Sequence, residues 1–258
     1  MGKIIAVANQ KGGVGKTTTA VNLAACISVT ERKTLLIDMD PQGNATMGVG
    51  IDKNEVKKTI YDLLLPRDEA LDPKTVIVNT QLEFLDVIPA NKHLVGAEVE
   101  LVSELAREKM LKNLLKDIRE NYEYIIIDSP PSLGLLTINV LTAADSILIP
   151  IQCEYYALEG LAELLNTIRR VQRSLNKDLS IEGALLTMYD NRLNLSKQVA
   201  DEVRKFFADK VFTTVISRNV KLSESPSYGK PIILYDIMCT GTENYLNIAK
   251  EIIDNGKK

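Results

Sequence analysis

Apolar residues in this chain fall into short unbroken runs rather than alternating with polar ones. Ile4, Ile5, Ala6, Val7 and Ala8 form one run inside Lys3–Asn9. Others lie in Thr34–Asp38, Phe84–Ile88, Tyr124–Asp128, Ser146–Ile151 and Ile181–Met188, with a weaker one at Ile232–Tyr235. A strand buried on both faces needs apolar side chains at successive positions, so these runs predict strands of a parallel sheet. Between them the apolar positions recur at helical spacing: from about Lys16, then over Glu104–Asn121, Leu135–Ala144, Glu159–Leu175, Ser196–Ala208 and Thr242–Ile253. Strands alternating with helices predict an α/β fold, a mainly parallel twisted sheet with helices on both faces, because a parallel crossover requires a helix. A ligand then belongs at the carboxyl ends of the strands. Asp52–Gln81 is the most irregular stretch and reads as a partner-facing excursion. No repeat or linker divides the chain, so one domain over residues 1–258 is expected.

Composition narrows the class. An apolar share of 45% and a charged share of 25% suit a compact globular protein. The chain enters a strand pattern at once and holds no apolar run of spanning length, which argues against secretion and membrane insertion and for a cytoplasmic protein. Cys26, Cys153 and Cys239 are odd in number, widely spaced and form no C-x-x-C, so they read as small buried residues. His93 is the only histidine, which excludes a His-rich metal site, and it reads as a solvated loop residue.

The chemistry concentrates where the first strand meets the first helix, in Lys11-Gly12-Gly13-Val14-Gly15-Lys16-Thr17. Glycines there let backbone N–H groups converge on phosphate oxygens, and the following helix adds the positive end of its dipole. Lys16 is placed to reach the β- and γ-phosphates of a nucleotide and the Thr17 hydroxyl to ligate Mg²⁺. The loop departs from the usual P-loop pattern, because Gln10 stands where a glycine is usual and an extra lysine, Lys11, opens it. The second half of a P-loop site, an apolar strand ending in an acid, is Tyr124–Asp128, and Asp128 is expected to hold Mg²⁺ through water. Asp38 and Asp40 end another strand and should point to one side, close to the phosphates. One could serve the metal shell and the other orient water, or either could cap its loop. Lys11 is the candidate second cation, poised less to fold back than to reach a nucleotide on another subunit.

With these residues in hand, the chain closely resembles the ParA/Soj chromosome- and plasmid-partitioning ATPases, which belong with MinD to the deviant Walker A P-loop NTPases. The resemblance rests on Lys11–Thr18, Leu36–Asn44 (LIDMDPQGN), Ile127–Pro131 (IDSPP) and Ser217–Glu224 (SRNVKLSE). It implies an ATP-driven homodimer in which two subunits sandwich two ATP molecules and Lys11 of each contacts the other's phosphates. Lys11, Gly12, Gly13, Val14, Gly15, Lys16, Thr17 and Thr18 would bind ATP, with Gly12 where the two loops approach. Lys11, Lys16 and Asp40 would serve hydrolysis, and Thr17, Asp40 and Asp128 the Mg²⁺. The ATP dimer would bind double-stranded DNA without sequence preference, as a nucleoid-associated protein. A ParB/Spo0J-type DNA-binding partner would stimulate an otherwise weak hydrolysis and release it.

A net charge of −3 gives no global reason to expect nucleic acid, but between Asp190 and Lys230 eight basic residues outnumber five acidic ones, against a net −6 elsewhere. Arg192, Arg218 and Lys221 are the DNA-contact candidates; Lys197, Asp201 and Lys205, at i,i+4 spacing, read as a solvated helix face. For adenine, the loops Met188–Asn191 and Pro226–Gly229 are candidates. A MinD-like membrane cycle needs a basic amphipathic C-terminal helix, and Thr242–Ile253 reads instead as core-packed, so no membrane partner is expected. An iron-sulfur reductase is disfavoured because Ser129–Ala144 holds no cysteine. A small-molecule ligase of the dethiobiotin synthetase type is the main enzymatic rival.

Overall fold

The structure, a computed structural model, describes residues 2–65, 71–154 and 160–256. Among these, seven strands build one sheet: β1 (Lys3–Val7), β2 (Thr34–Asp38), β3 (Val78–Asn79), β4 (Leu85–Ile88), β5 (Tyr124–Asp128), β6 (Ser146–Gln152) and β7 (Ser180–Thr187). Their order is β3-β4-β2-β5-β1-β6-β7. Every neighbouring pair is parallel except β3 and β4 at the edge. The helices are α1 (Lys16–Ser28), α2 (Asn44–Gly48), α3 (Ile60–Leu64), α4 (Leu94–Glu100), α5 (Met110–Lys116), α6 (Leu135–Ala143), α7 (Leu161–Ser174), α8 (Asn194–Phe207), α9 (Val220–Glu224), α10 (Ile232–Tyr235) and α11 (Thr240–Asn255).

The apolar runs divide residue by residue between two cores, because successive side chains of a strand face opposite ways. Ile4, Ala6, Leu35, Ile37, Ile125 and Ile127 join the core under α3 to α8. Ile5, Val7, Leu36 and Ile126 join the other, with α1, α2, α10 and α11. Helix α1 is buried on nearly every side, between the sheet and α11. Thr19 and Tyr245 share a hydrogen bond of 3.2 Å across that contact. The final helix thus spends Tyr245, Ile248, Ala249, Ile252 and Ile253 on the core. No helix among the described residues is long and apolar enough to cross a membrane.

Two expectations need correction. Ile232–Tyr235 is the short helix α10, not a strand; its first residue drops into the α1 core, and its backbone N–H donates to the Asn22 side chain at 2.6 Å. Glu104–Asn121 is not one helix: Ala106 takes φ 54°, outside the helical region, and only Met110–Lys116 is α-helical. The irregular Asp52–Gln81 stretch contains α3 and β3, and it feeds the antiparallel edge that an apolar pattern alone does not show. Glu159, expected to open α7, lies outside the described residues. The cysteines are free and buried, and burial pushes the Cys26 and Cys153 thiols up to about 12.

Candidate functional site

Register brings the acids together. Val7 of β1 pairs with Asp128 of β5, and Asp128 pairs with Asp38 of β2, so the carboxyl ends of three adjacent strands form one row. Asp38 shares the parity of Leu36, and Asp128 that of Ile126, so both point to the face that carries α1. Met39 turns into the opposite core, which leaves Asp38 and Asp40 on the same side as expected.

Between β1 and α1 the loop is shaped by Gly13 at φ 73° and Gly15 at φ 89°, left-handed conformations that an L side chain strains to adopt. Asn9, buried, fixes its entry: its amide donates to the Pro150 carbonyl at 2.7 Å and its oxygen accepts from the Lys11 N–H at 3.0 Å. Thr187, at the end of β7, fixes its exit by donating to the Val14 carbonyl at 2.8 Å. Neither clamp was visible in the sequence, since the Thr187 contact spans 173 positions. Gly12 and Gly13 are exposed, and a Cβ built on either would meet nothing within 4 Å. Lys11, at the start of the same loop, is half-buried.

Lys16 is only 7% exposed, and its ammonium donates to the Lys11 carbonyl at 3.0 Å. Burial lowers its pKa, while Asp128 and then Asp40 act to raise it. Asp128 is fully buried, and neither carboxylate oxygen has a hydrogen-bond partner. Burial and then the Asp38 carboxylate hold it well above the usual carboxylate range, with the nearby Thr17 hydroxyl, short of hydrogen-bond geometry, and Lys16 acting in the other direction. Asp38 is fully occupied otherwise: it accepts from the Thr46 N–H at 2.8 Å, the Thr46 hydroxyl at 2.7 Å and the Asp40 N–H at 3.1 Å. Burial still raises it to about 6. Of the alternatives open for Asp38, loop capping fits this geometry. Asp40 spends one oxygen on the Gln42 N–H at 2.8 Å.

A buried carboxylate with two orphaned oxygens is costly, and its presence marks a place built for a cation. Among the described residues no cluster of three or more His, Cys, Asp and Glu could hold a metal alone. The donor set near Asp128 is one hydroxyl and carboxylates, which suits Mg²⁺ completed by water and phosphate oxygens. Replacing Asp128 by asparagine relieves an unpaired buried charge and should stabilise the nucleotide-free protein by about 1–3 kcal/mol at neutral pH. The sign follows from the raised native pKa: the folded wild type binds the proton more tightly than the unfolded chain, so it loses stability as pH rises above roughly 4. The advantage of the asparagine variant therefore vanishes near pH 4 and grows toward pH 7, which thermal melts at the two ends would show.

A cavity of ≈ 470 Å³ lies beside Thr17 and Thr18, walled by Asn44, Met47 and Lys53 and by Ser225, Pro226 and Ser227. One adenine candidate, Pro226–Gly229, thus borders the nucleotide loop, within a turn between two short helices rather than after a strand. The other, Met188–Asn191, follows β7 and is bridged through Tyr189 to Ser217. The DNA-contact candidates lie on that same edge, because the Arg218 N–H donates to the Tyr189 carbonyl at 3.0 Å. None of the three cations stands alone: Arg192 pairs with Asp190 at 2.7 Å, Arg218 with Glu154 at 2.7 Å, and Lys221 with Asp236. His93 is exposed at the start of α4.

A Gly-rich loop between a parallel strand and a helix, with a buried lysine and a strand-end acid at its mouth, defines a P-loop NTPase. Residues 2–181 match the family model described as an AAA domain. The chain is 60% identical to the sporulation initiation inhibitor protein Soj of Bacillus subtilis, over 99% of this chain and all of that protein. It is 50% identical to the chromosome partitioning protein ParA of Caulobacter vibrioides, over 97% and 94% of the two chains. A structure of cobyrinic acid a,c-diamide synthase from Mycobacterium smegmatis, bound to an ATP analogue and magnesium, is 35% identical and superposes with a TM-score of 0.87, covering 100% of this chain and 97% of that one. The chain belongs to the ParA/Soj family of partitioning ATPases.

Proposed function

We propose that this chain is an ATP-driven assembly switch for DNA segregation. ATP joins two copies across their P-loops, the pair holds double-stranded DNA without sequence preference, and hydrolysis, stimulated by a ParB/Spo0J-type DNA-binding protein, releases it. The observation that carries this reading is the bare outer face of the loop: Gly12 and Gly13 expose backbone with no neighbour, beside the lysine that meets the phosphates. Such a face lets a second backbone approach closely. The names of the relatives support the segregation role.

In this reading Lys16 serves the phosphates of its own subunit and Lys11 those of its partner. The backbone and side chains of Gly12 to Thr18 cradle the nucleotide, while Thr17, Asp128 and the Asp40 region hold the Mg²⁺ shell. Asp40 also orients the attacking water, so catalysis is positioning and charge neutralisation rather than covalent chemistry. Arg192, Arg218 and Lys221 contact DNA phosphates, and the protein works as one domain in the cytoplasm, on the nucleoid.

The test is stoichiometry and DNA retention measured with ATP, ADP and a non-hydrolysable analogue. A dimer that retains DNA only in the triphosphate states is expected; equal DNA retention in all three sinks the switch. ATP turnover driven by a small metabolite and indifferent to DNA would select instead an amide-forming ligase like the Mycobacterium smegmatis protein. A sharper check uses Gly12→Val. Because a side chain there meets nothing in the single subunit, the variant should fold and bind ATP as the wild type does and yet fail to dimerise. A destabilised variant would show that the loop is constrained from within.

A further inference from the structure

The three cations assigned to DNA share a feature that this role does not require: each is engaged by an acid of its own chain. The Arg192 guanidinium grips Asp190 through Nε at 2.9 Å and a terminal nitrogen at 2.7 Å. Arg218 reaches Glu154, 64 positions away and just beyond β6, at 2.7 Å. Lys221 is bonded to Asp236, which lies beyond α10. The pairs are linked, since Asp190 feels the positive charge of Arg218 as well as that of Arg192. Against side-chain exposures of 83%, 56% and 47% for Arg192, Arg218 and Lys221, the pairs remain open to solvent and to a ligand. Glu154 and Asp236 reach their cations from other segments, so their placement is a property of the fold and not of helical spacing.

We propose that Glu154, Asp190 and Asp236 are intramolecular competitors for the DNA phosphates, which hold the DNA affinity of a single subunit low so that retention requires two subunits together. This rests on the DNA-binding role proposed above. A carboxylate occupies the position that a phosphate oxygen would take on each guanidinium or ammonium, with the same charge sign and the same donor geometry. To bind, DNA must displace each acid and then sit beside it. Exposed ion pairs are individually weak, about 0–1 kcal/mol, so displacement is possible, but the gain per contact is small. With small gains, one copy falls short and a linked pair of copies, which adds its contacts at high effective concentration, succeeds.

The test uses Glu154→Gln, because that side chain has no partner other than Arg218 in the hydrogen bonds of the described residues. Binding of a random-sequence duplex to the nucleotide-free full-length protein is followed by fluorescence anisotropy across a salt series. Removing the competitor should raise affinity roughly two- to fivefold. Because Arg218 meets the same phosphate with or without the competitor, the affinity line should shift upward with little change in its slope against log salt. Glu154→Gln with Asp236→Asn should gain more than either alone. Glu123→Gln is the control: it removes the same charge from an exposed pair with Arg32 at the opposite ends of the strands. An equal gain in the control, or no gain in Glu154→Gln while the wild type with ATP retains DNA, overturns the proposal. Failure of the wild type to retain DNA with ATP would instead overturn the DNA-binding role itself.

Discussion

Asp40→Ala is expected to lower ATP turnover by about two to three orders of magnitude while leaving ATP-dependent dimerisation and DNA retention in place. The structure separates this side chain from the framework around it. Asp38, two residues earlier, is bound to Thr46 and to the Asp40 backbone, and it keeps the loop's path when the Asp40 side chain is removed. Thr46 in turn accepts from the Ala90 N–H at 2.9 Å, which ties the loop to the end of β4. What Asp40→Ala removes is a carboxylate at the mouth of the site with one oxygen spent on a backbone turn and one left for solvent chemistry. Single-turnover hydrolysis with size-exclusion analysis of the ATP-bound protein checks both halves. A monomeric Asp40→Ala protein with ATP would contradict the assignment.

Lys16→Ala should abolish nucleotide-dependent behaviour altogether: ATP binding weakened beyond measurable saturation, no dimer, no ATP-dependent DNA retention. Its ammonium is the buried positive charge beside Asp128, and burial already lowers its pKa. Removing it takes the nearby positive charge away from Asp128, which it does not pair with directly, and leaves the phosphates without their cation. The phosphates lose their cation and the nearby Asp128 loses a charge that acts to lower its pKa, so nucleotide affinity falls steeply and apo stability modestly. Isothermal titration with ATP and Mg²⁺ reads the first and thermal melting the second. Lys16→Ala with near-normal ATP affinity would move the phosphate contact elsewhere in the loop.

The apolar runs made the sheet legible, because strands covered on both faces must be continuously apolar, and Ile4–Val7 and Ile125–Ile127 are so. They do not separate a four-residue strand from a four-residue helix, which is why Ile232–Tyr235 reads as a strand and folds as α10. Nor could they show Ala106 turning left-handed inside a helical pattern. For the site, residues close in sequence were legible: the Lys11–Thr17 loop and the acids that end β2 and β5. What stayed hidden were contacts fixed by register and crossover, such as Thr187 on Val14, Asn9 on Pro150 and Glu154 on Arg218. Each joins groups far apart along the chain, and no local spacing encodes them.

The bond from the Lys16 ammonium goes to the main-chain carbonyl of residue 11, not to its side chain. Any amino acid at position 11 supplies that carbonyl. The anchoring of the phosphate lysine is therefore insulated from the identity of its neighbour, so a lineage could trade Lys11 away and retain a nucleotide pocket. The two lysines of one short loop are thereby free to evolve as separate traits, one fixing what the protein binds and the other what it binds alongside.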